Sequence, residues 1–87
     1  MAATWIPSMM RDLTGGLDRV QVPGGTIAEV IEALDRTYPG VKERLLVQGR
    51  LAPGLMATVG GKRALRGLEQ PLDEGSEVRF LPLMAGG

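Results

Sequence analysis

The chain has 87 residues, and its ten Lys and Arg are balanced by ten Asp and Glu. That length supports one small domain with one modest core, and the zero net charge gives no support to a nucleic-acid or polyanion binder. Cys and His are both absent, which excludes disulfides and thiolate or imidazole metal sites and removes the commonest soft nucleophile and the commonest general base.

No apolar run is long enough to span a membrane. The opening Met1 to Pro7 has neither the basic start nor the long apolar stretch of a secretory signal, so a cytoplasmic protein is expected. Ala3 to Pro7 reads as a first strand, with a β-branched and aromatic lean, ended by Pro7-Ser8. If Ile6 faces a core, alternation puts Trp5 on the opposite sheet face, where it would form a partner-docking patch; the alternative is that Trp5 packs in the core or against the first loop. Met9 to Leu13 has no clear period and reads as an irregular loop before the turn Thr14-Gly15-Gly16. Leu17 to Val22 reads as a second strand with Val20 and Val22 on one face, and the glycine turn makes an antiparallel hairpin the default.

Pro23-Gly24-Gly25 breaks the sheet, and Thr26-Ile27-Ala28-Glu29 is a capping box. In such a box Thr26 accepts from the Glu29 N–H, and the Glu29 carboxylate returns to the N–H of Thr26. Ile27, Val30, Ile31 and Leu34 then form one helical stripe, with Glu29, Glu32, Asp35 and Arg36 off it and facing water. Pro39-Gly40 stops the helix near Tyr38. Val41 to Leu46 reads as a short second helical turn, and Val47 to Gly54 as a loop.

Leu55 to Val59 reads as a strand, Gly60-Gly61 as a two-residue hairpin turn, and Lys62 to Arg66 as a short fourth strand or edge segment. Lys62, Arg63 and Arg66 cluster there, either as a solvated strand or as a guide for an acidic partner surface. Gly67 to Leu72 is a connector and Asp73 to Ser76 a turn. Asp73 and Glu74 lie in that exposed turn with no fixed base beside them, so no catalytic pair is assigned. Glu77 to Leu81 is the last strand, with Val78 and Phe80 on one face and Arg79 on the other, and Pro82 ends the sheet.

The elements therefore run β, β, α, a short helix, β, β, β. One apolar helix stripe covers one face of a mixed sheet of four to five strands, which is an α+β arrangement in the order of the β-grasp (ubiquitin-like) roll. Residues 1–82 make the domain. Residues 83–87 make a flexible C-terminal tail, Leu83-Met84-Ala85-Gly86-Gly87, that reaches about 15 Å at roughly 3.3 Å per residue. From composition alone such an end equally suits a frayed terminus.

The ending Phe80 to Gly87 resembles the ubiquitin-like sulfur carriers of the MoaD/ThiS/CysO family, many of which finish in a strand, a proline, a hydrophobic residue and Gly-Gly. Further stretches are similar to the cysteine-biosynthesis carriers: Ile6-Pro7 with Arg11 and Thr14-Gly15-Gly16, Tyr38 to Leu45, and Asp73 to Val78. The resemblance implies a protein cosubstrate rather than an enzyme, with no catalytic residue, no metal and no bound cofactor. Its Gly87 carboxylate would be adenylated with ATP by an E1-like adenylating enzyme of the MoeB/ThiF type and then converted to a thiocarboxylate. The gap in the chain's own chemistry agrees, because it has no phosphate-cradling glycine loop with its lysine.

Gly86 and Gly87 lack Cβ and suit a narrow channel, while Leu83, Met84 and Ala85 suit an apolar one. The acceptor implied is a sulfur-accepting synthase, either a cysteine synthase, which is favoured, or the large subunit of molybdopterin synthase. The alternatives are a ubiquitin-like modifier joined to targets through Gly87 and a non-covalent β-grasp interaction module.

Overall fold

The computed structural model describes residues 1–82. β1 (Ala2–Trp5) and β2 (Arg19–Val22) form the antiparallel hairpin that the glycine turn implies, with Ala2 opposite Val22 and Trp5 opposite Arg19. The connection between them is more ordered than its sequence indicates. Ser8–Met10 is a 3₁₀ turn, and Met10 is fully buried among the core side chains. Arg44 ties that turn down by donating to the Met9 carbonyl at 3.1 Å and to the Asp12 carboxylate at 3.3 Å.

α1 (Ile27–Thr37) buries Ile27, Val30, Ile31, Ala33 and Leu34 against the sheet. Its cap is half as written above. The Glu29 N–H donates to Thr26 Oγ1 at 3.2 Å, but the Glu29 carboxylate accepts from the Gly25 N–H at 2.7 Å rather than from Thr26. Thr26 also faces Pro71 in an isolated antiparallel bridge, whose hydrogen bonds run from the Ile27 N–H to the Gln70 carbonyl at 3.2 Å and from the Leu72 N–H to the Gly25 carbonyl at 2.9 Å. Asp35 is also not simply solvated. Its Oδ1 accepts from the Gly40 and Lys42 N–H groups, both at 3.1 Å, and so caps α2 (Val41–Leu45) from the neighbouring helix.

The stretch read as a loop after Leu46 contains a small antiparallel ladder, β3 (Leu46–Val47) with β4 (Arg50–Leu51). Gln48 and Gly49 turn it, with φ of 52° and 76°. β5 (Leu55–Val59) and β6 (Lys62–Arg63) are joined by Gly60-Gly61, both at positive φ, as a two-residue turn needs. β6 is shorter than the segment expected to Arg66, and Gly67–Glu69 is a second 3₁₀ turn.

β7 (Glu77–Pro82) completes a five-stranded sheet in the order β2-β1-β7-β5-β6. It runs parallel to β1 and antiparallel to β5, which makes it the middle strand. The helices cover one face of this sheet, and the other is open. This is the α+β β-grasp arrangement, at the upper end of the expected strand number.

Thr4 sits in the middle of the covered face with its side chain fully buried, and among the described residues its Oγ1 has no hydrogen-bond partner. Thr4→Val keeps the shape and removes the unsatisfied hydroxyl. It is expected to stabilise the domain by about 1–2 kcal/mol, read as a higher urea midpoint at unchanged slope.

Candidate functional site

The site is built on the strand that leads into the tail. Val78 is fully buried and Phe80 is 3% exposed, so alternate residues of β7 are driven into the core. Leu81 lies on the other face at 38% exposure. The ladder to β5 continues to the last described residue, with Leu81 opposite Met56 and Pro82 opposite Leu55. The root of the tail is thus held against the sheet by core burial on one face and backbone pairing along one edge.

The other edge opens at the same place. The β1·β7 pairing stops at Trp5 opposite Arg79. It begins with the Ala3 N–H donating to the Ser76 carbonyl at 2.9 Å, which sets the bond pattern of the parallel ladder. One further step would place residue 7 opposite residue 81 and would need N–H donors from residues 7 and 82. Both are prolines and have none. The two chains therefore separate there, and a groove of about 320 Å³ lies between them, lined by Trp5, Pro7, Met9, Arg11, Leu81 and Pro82 among others.

Trp5 stands half-buried on the open face of the sheet, as alternation from a buried Ile6 implies, and it lines the groove together with Pro7, Met9 and Arg11 of the first loop. Its Nε1 donates to Glu77 Oε1 at 3.4 Å, and the Arg79 guanidinium lies 4.3 Å from its ring centroid. Arg79 is the residue that sequence reasoning missed. Its outward position was readable from alternation, but its contact with a tryptophan across a parallel pairing was not.

No helix of the described residues is long and apolar enough to cross a membrane, and no group of three or more carboxylates or other ligating side chains among them could hold a metal ion. Lys42 is paired with Glu32, whose hydrogen bond and charge raise the ammonium above its ordinary value. That pair joins the two helices and lies on the covered side of the sheet, away from the strand that carries the tail. The residues expected to carry the chemistry, Leu83, Met84, Ala85, Gly86 and Gly87, lie outside the described residues.

Comparison with known proteins bears directly on that end of the chain. A profile of the ThiS family matches residues 6–87. The sulfur carrier protein CysO of Mycobacterium tuberculosis is 34% identical over 87 residues, covering 94% of each chain. Among solved structures, the BexX/CysO complex of Amycolatopsis orientalis superposes with a TM-score of 0.90 at 29% identity, covering 100% of both chains. Small archaeal modifier protein 3 of Haloferax volcanii is 31% identical over 64 residues, or 71% of this chain and 70% of that one. Carriers of the CysO type are small proteins that are not enzymes themselves. With the family profile running from the end of β1 through Gly87, and a CysO relative aligned over nearly the whole length, the chain belongs to the ThiS family of sulfur carrier proteins.

Proposed function

We propose that this chain carries sulfur as a thiocarboxylate on Gly87 and delivers it to a biosynthetic synthase. The observation that carries the reading is the match to CysO over 94% of the chain together with a Gly86-Gly87 end. A carboxylate is a poor electrophile, so an E1-like partner of the MoeB/ThiF type first joins it to AMP from ATP, releasing pyrophosphate. Sulfide attacks the acyl carbon and expels AMP, leaving the thiocarboxylate. A persulfide donor instead leaves an acyl disulfide, which a thiol then reduces.

The chain supplies no catalytic group to these steps. Its contribution is a clamped strand, β7, behind a short apolar and glycine-ended tail, so that Leu83, Met84 and Ala85 lie in the partner's channel and Gly87 reaches its reacting centre. ATP belongs to the activating partner. Cysteine synthesis is the favoured destination because the aligned relatives are CysO proteins, with a cysteine synthase as acceptor; the molybdopterin synthase large subunit comes next. This chemistry belongs in the cytoplasm, where ATP and sulfur donors are at hand. A second reading, conjugation to target proteins through Gly87, is favoured by the Haloferax relative that is named a modifier.

Intact mass separates these readings. After incubation with ATP, a sulfur source and an extract containing the adenylating enzyme, the protein is expected to gain the mass of one oxygen replaced by sulfur. A Gly87 deletion is expected to abolish that gain while leaving the thermal midpoint unchanged. Higher-mass conjugates resistant to reductant would replace the carrier by the modifier. An unchanged mass, with the enzyme active on a control carrier, would favour the non-covalent module.

A further inference from the structure

The open face of the sheet carries a cross-strand row that no single strand reveals. Arg19 lies opposite Trp5, Trp5 opposite Arg79, Arg79 opposite Thr58, and Thr58 opposite Arg63. In the spatial order of the five strands the row reads Arg-Trp-Arg-Thr-Arg. Residues opposite one another in a ladder share a face, and their chain neighbours Thr4, Val78 and Ala57 are all buried on the other side.

The three arginines thus stand on alternate strands, with backbone positions about 10 Å apart for a strand spacing near 4.8 Å, and the Thr58 between two of them is only 5% exposed. Like charges directly opposite one another would repel, and Trp5 and Thr58 hold them apart. Arg79 lies 4.3 Å and Arg19 5.6 Å from the centroid of the Trp5 ring. Arg19 also lies 3.9 Å from Glu77, but among the described residues neither Arg79 nor Arg63 has an ion-pair partner. Glu29, Glu32, Asp35 and Glu43 meanwhile belong to the helices, on the covered side. Those helices also carry Arg36, Lys42 and Arg44 and are close to neutral, whereas the sheet face sets Arg19, Arg79 and Arg63 against Glu77 and is locally basic.

We infer that this row is the docking surface for an acidic patch on the adenylating enzyme that receives the tail, with carboxylates set to meet Arg19, Arg79 and Arg63. The inference deepens the carrier reading and rests on it for the identity of the partner. Arg79 and Leu81 lie on the same face of β7, so the row adjoins the last described residues of the strand that precedes residues 83–87. A nucleic acid fits it poorly, because the Trp5 ring is already covered by Arg79 and Glu77 stands beside it. A membrane fits poorly as well, since the face offers one half-buried aromatic and few cations.

The test measures affinity without chemistry. The Gly87-deleted chain is titrated by calorimetry, without ATP, against a purified MoeB/ThiF-type adenylating enzyme at low and high salt. Arg63→Glu and Arg79→Gln are each expected to weaken binding about tenfold and to flatten its salt dependence. Arg63 stands on the short edge strand, so Arg63→Glu is expected to keep the thermal midpoint and to separate docking from folding. Unchanged affinity in a folded Arg63→Glu chain overturns the assignment. So does equal, arginine-dependent binding to a single-stranded oligonucleotide or to phosphatidylserine vesicles. If the intact chain gains no sulfur while affinity still follows the arginines, the carrier reading fails and the docking surface stands; if sulfur is gained and affinity ignores them, the reverse holds.

Discussion

Phe80→Ala is expected to cost about 3–5 kcal/mol, a large part of the roughly 5–15 kcal/mol that holds a domain of this kind together. Phe80 is 3% exposed and lies in the middle strand, opposite Ala57, so its loss leaves a cavity that the small side chain across the ladder cannot fill. Urea unfolding followed by the circular dichroism of the backbone is the measurement. Leu81→Ala, one residue on, is the control. Its side chain is 38% exposed on the open face, and a change there is expected to stay within about 0.5 kcal/mol. Equal costs at the two positions would mean that β7 is not anchored in the way described. Because Phe80 precedes the tail by so little, Phe80→Ala is also expected to lower sulfur loading in proportion to the unfolded fraction.

Gly24→Ala is the second large effect. A Cβ at Gly24 would lie 2.8 Å from the backbone nitrogen of Val30 and 2.8 Å from its Cγ2, and 3.2 Å from the carbonyl carbon of Glu29. Those atoms belong to the first turn of α1, where the Val30 N–H already donates to the Thr26 carbonyl at 3.1 Å. The backbone cannot retreat without breaking the cap, and a cost of about 2–3 kcal/mol is expected. Gly61→Ala makes the comparison. It has φ of +83° but nothing within 4 Å of the added carbon, so only the left-handed backbone resists, at about 1–2 kcal/mol. Thermal or urea unfolding of the pair compares crowding at Gly24, whose φ of +158° is close to extended, with left-handed strain at Gly61. A Gly24→Ala chain no less stable than Gly61→Ala would count against the close approach of the β2–α1 connection to the helix.

What the sequence made legible follows from how local the signals are. α1 was readable because its cap and its apolar stripe all lie within one stretch of the chain. The Gly60-Gly61 hairpin and the alternation of β7 were readable for the same reason. The β3·β4 hairpin was not. Its turn needs positive φ at two positions and uses Gln48 for one of them, a residue type that gives no turn signal. Asp35 was read as solvated because its partners are the amides of Gly40 and Lys42, beyond the helix end. At the candidate site, alternation gave Trp5 an outward option, while Leu83 to Gly87 lie outside the described residues. The contact of Trp5 with β7 joins residues 72 apart in the chain, and pairings of that range leave no local trace.

The central place of β7 also sets how the molecule bears load. A partner that grips the tail and pulls draws on β7 along its own length. β1 and β5 flank that strand on either side, so its hydrogen bonds are strained in shear and must fail together instead of unzipping one by one. Under the proposed function, a pull on residues 83–87 is therefore expected to free them from the partner before it ruptures the domain, so that the chain is released folded.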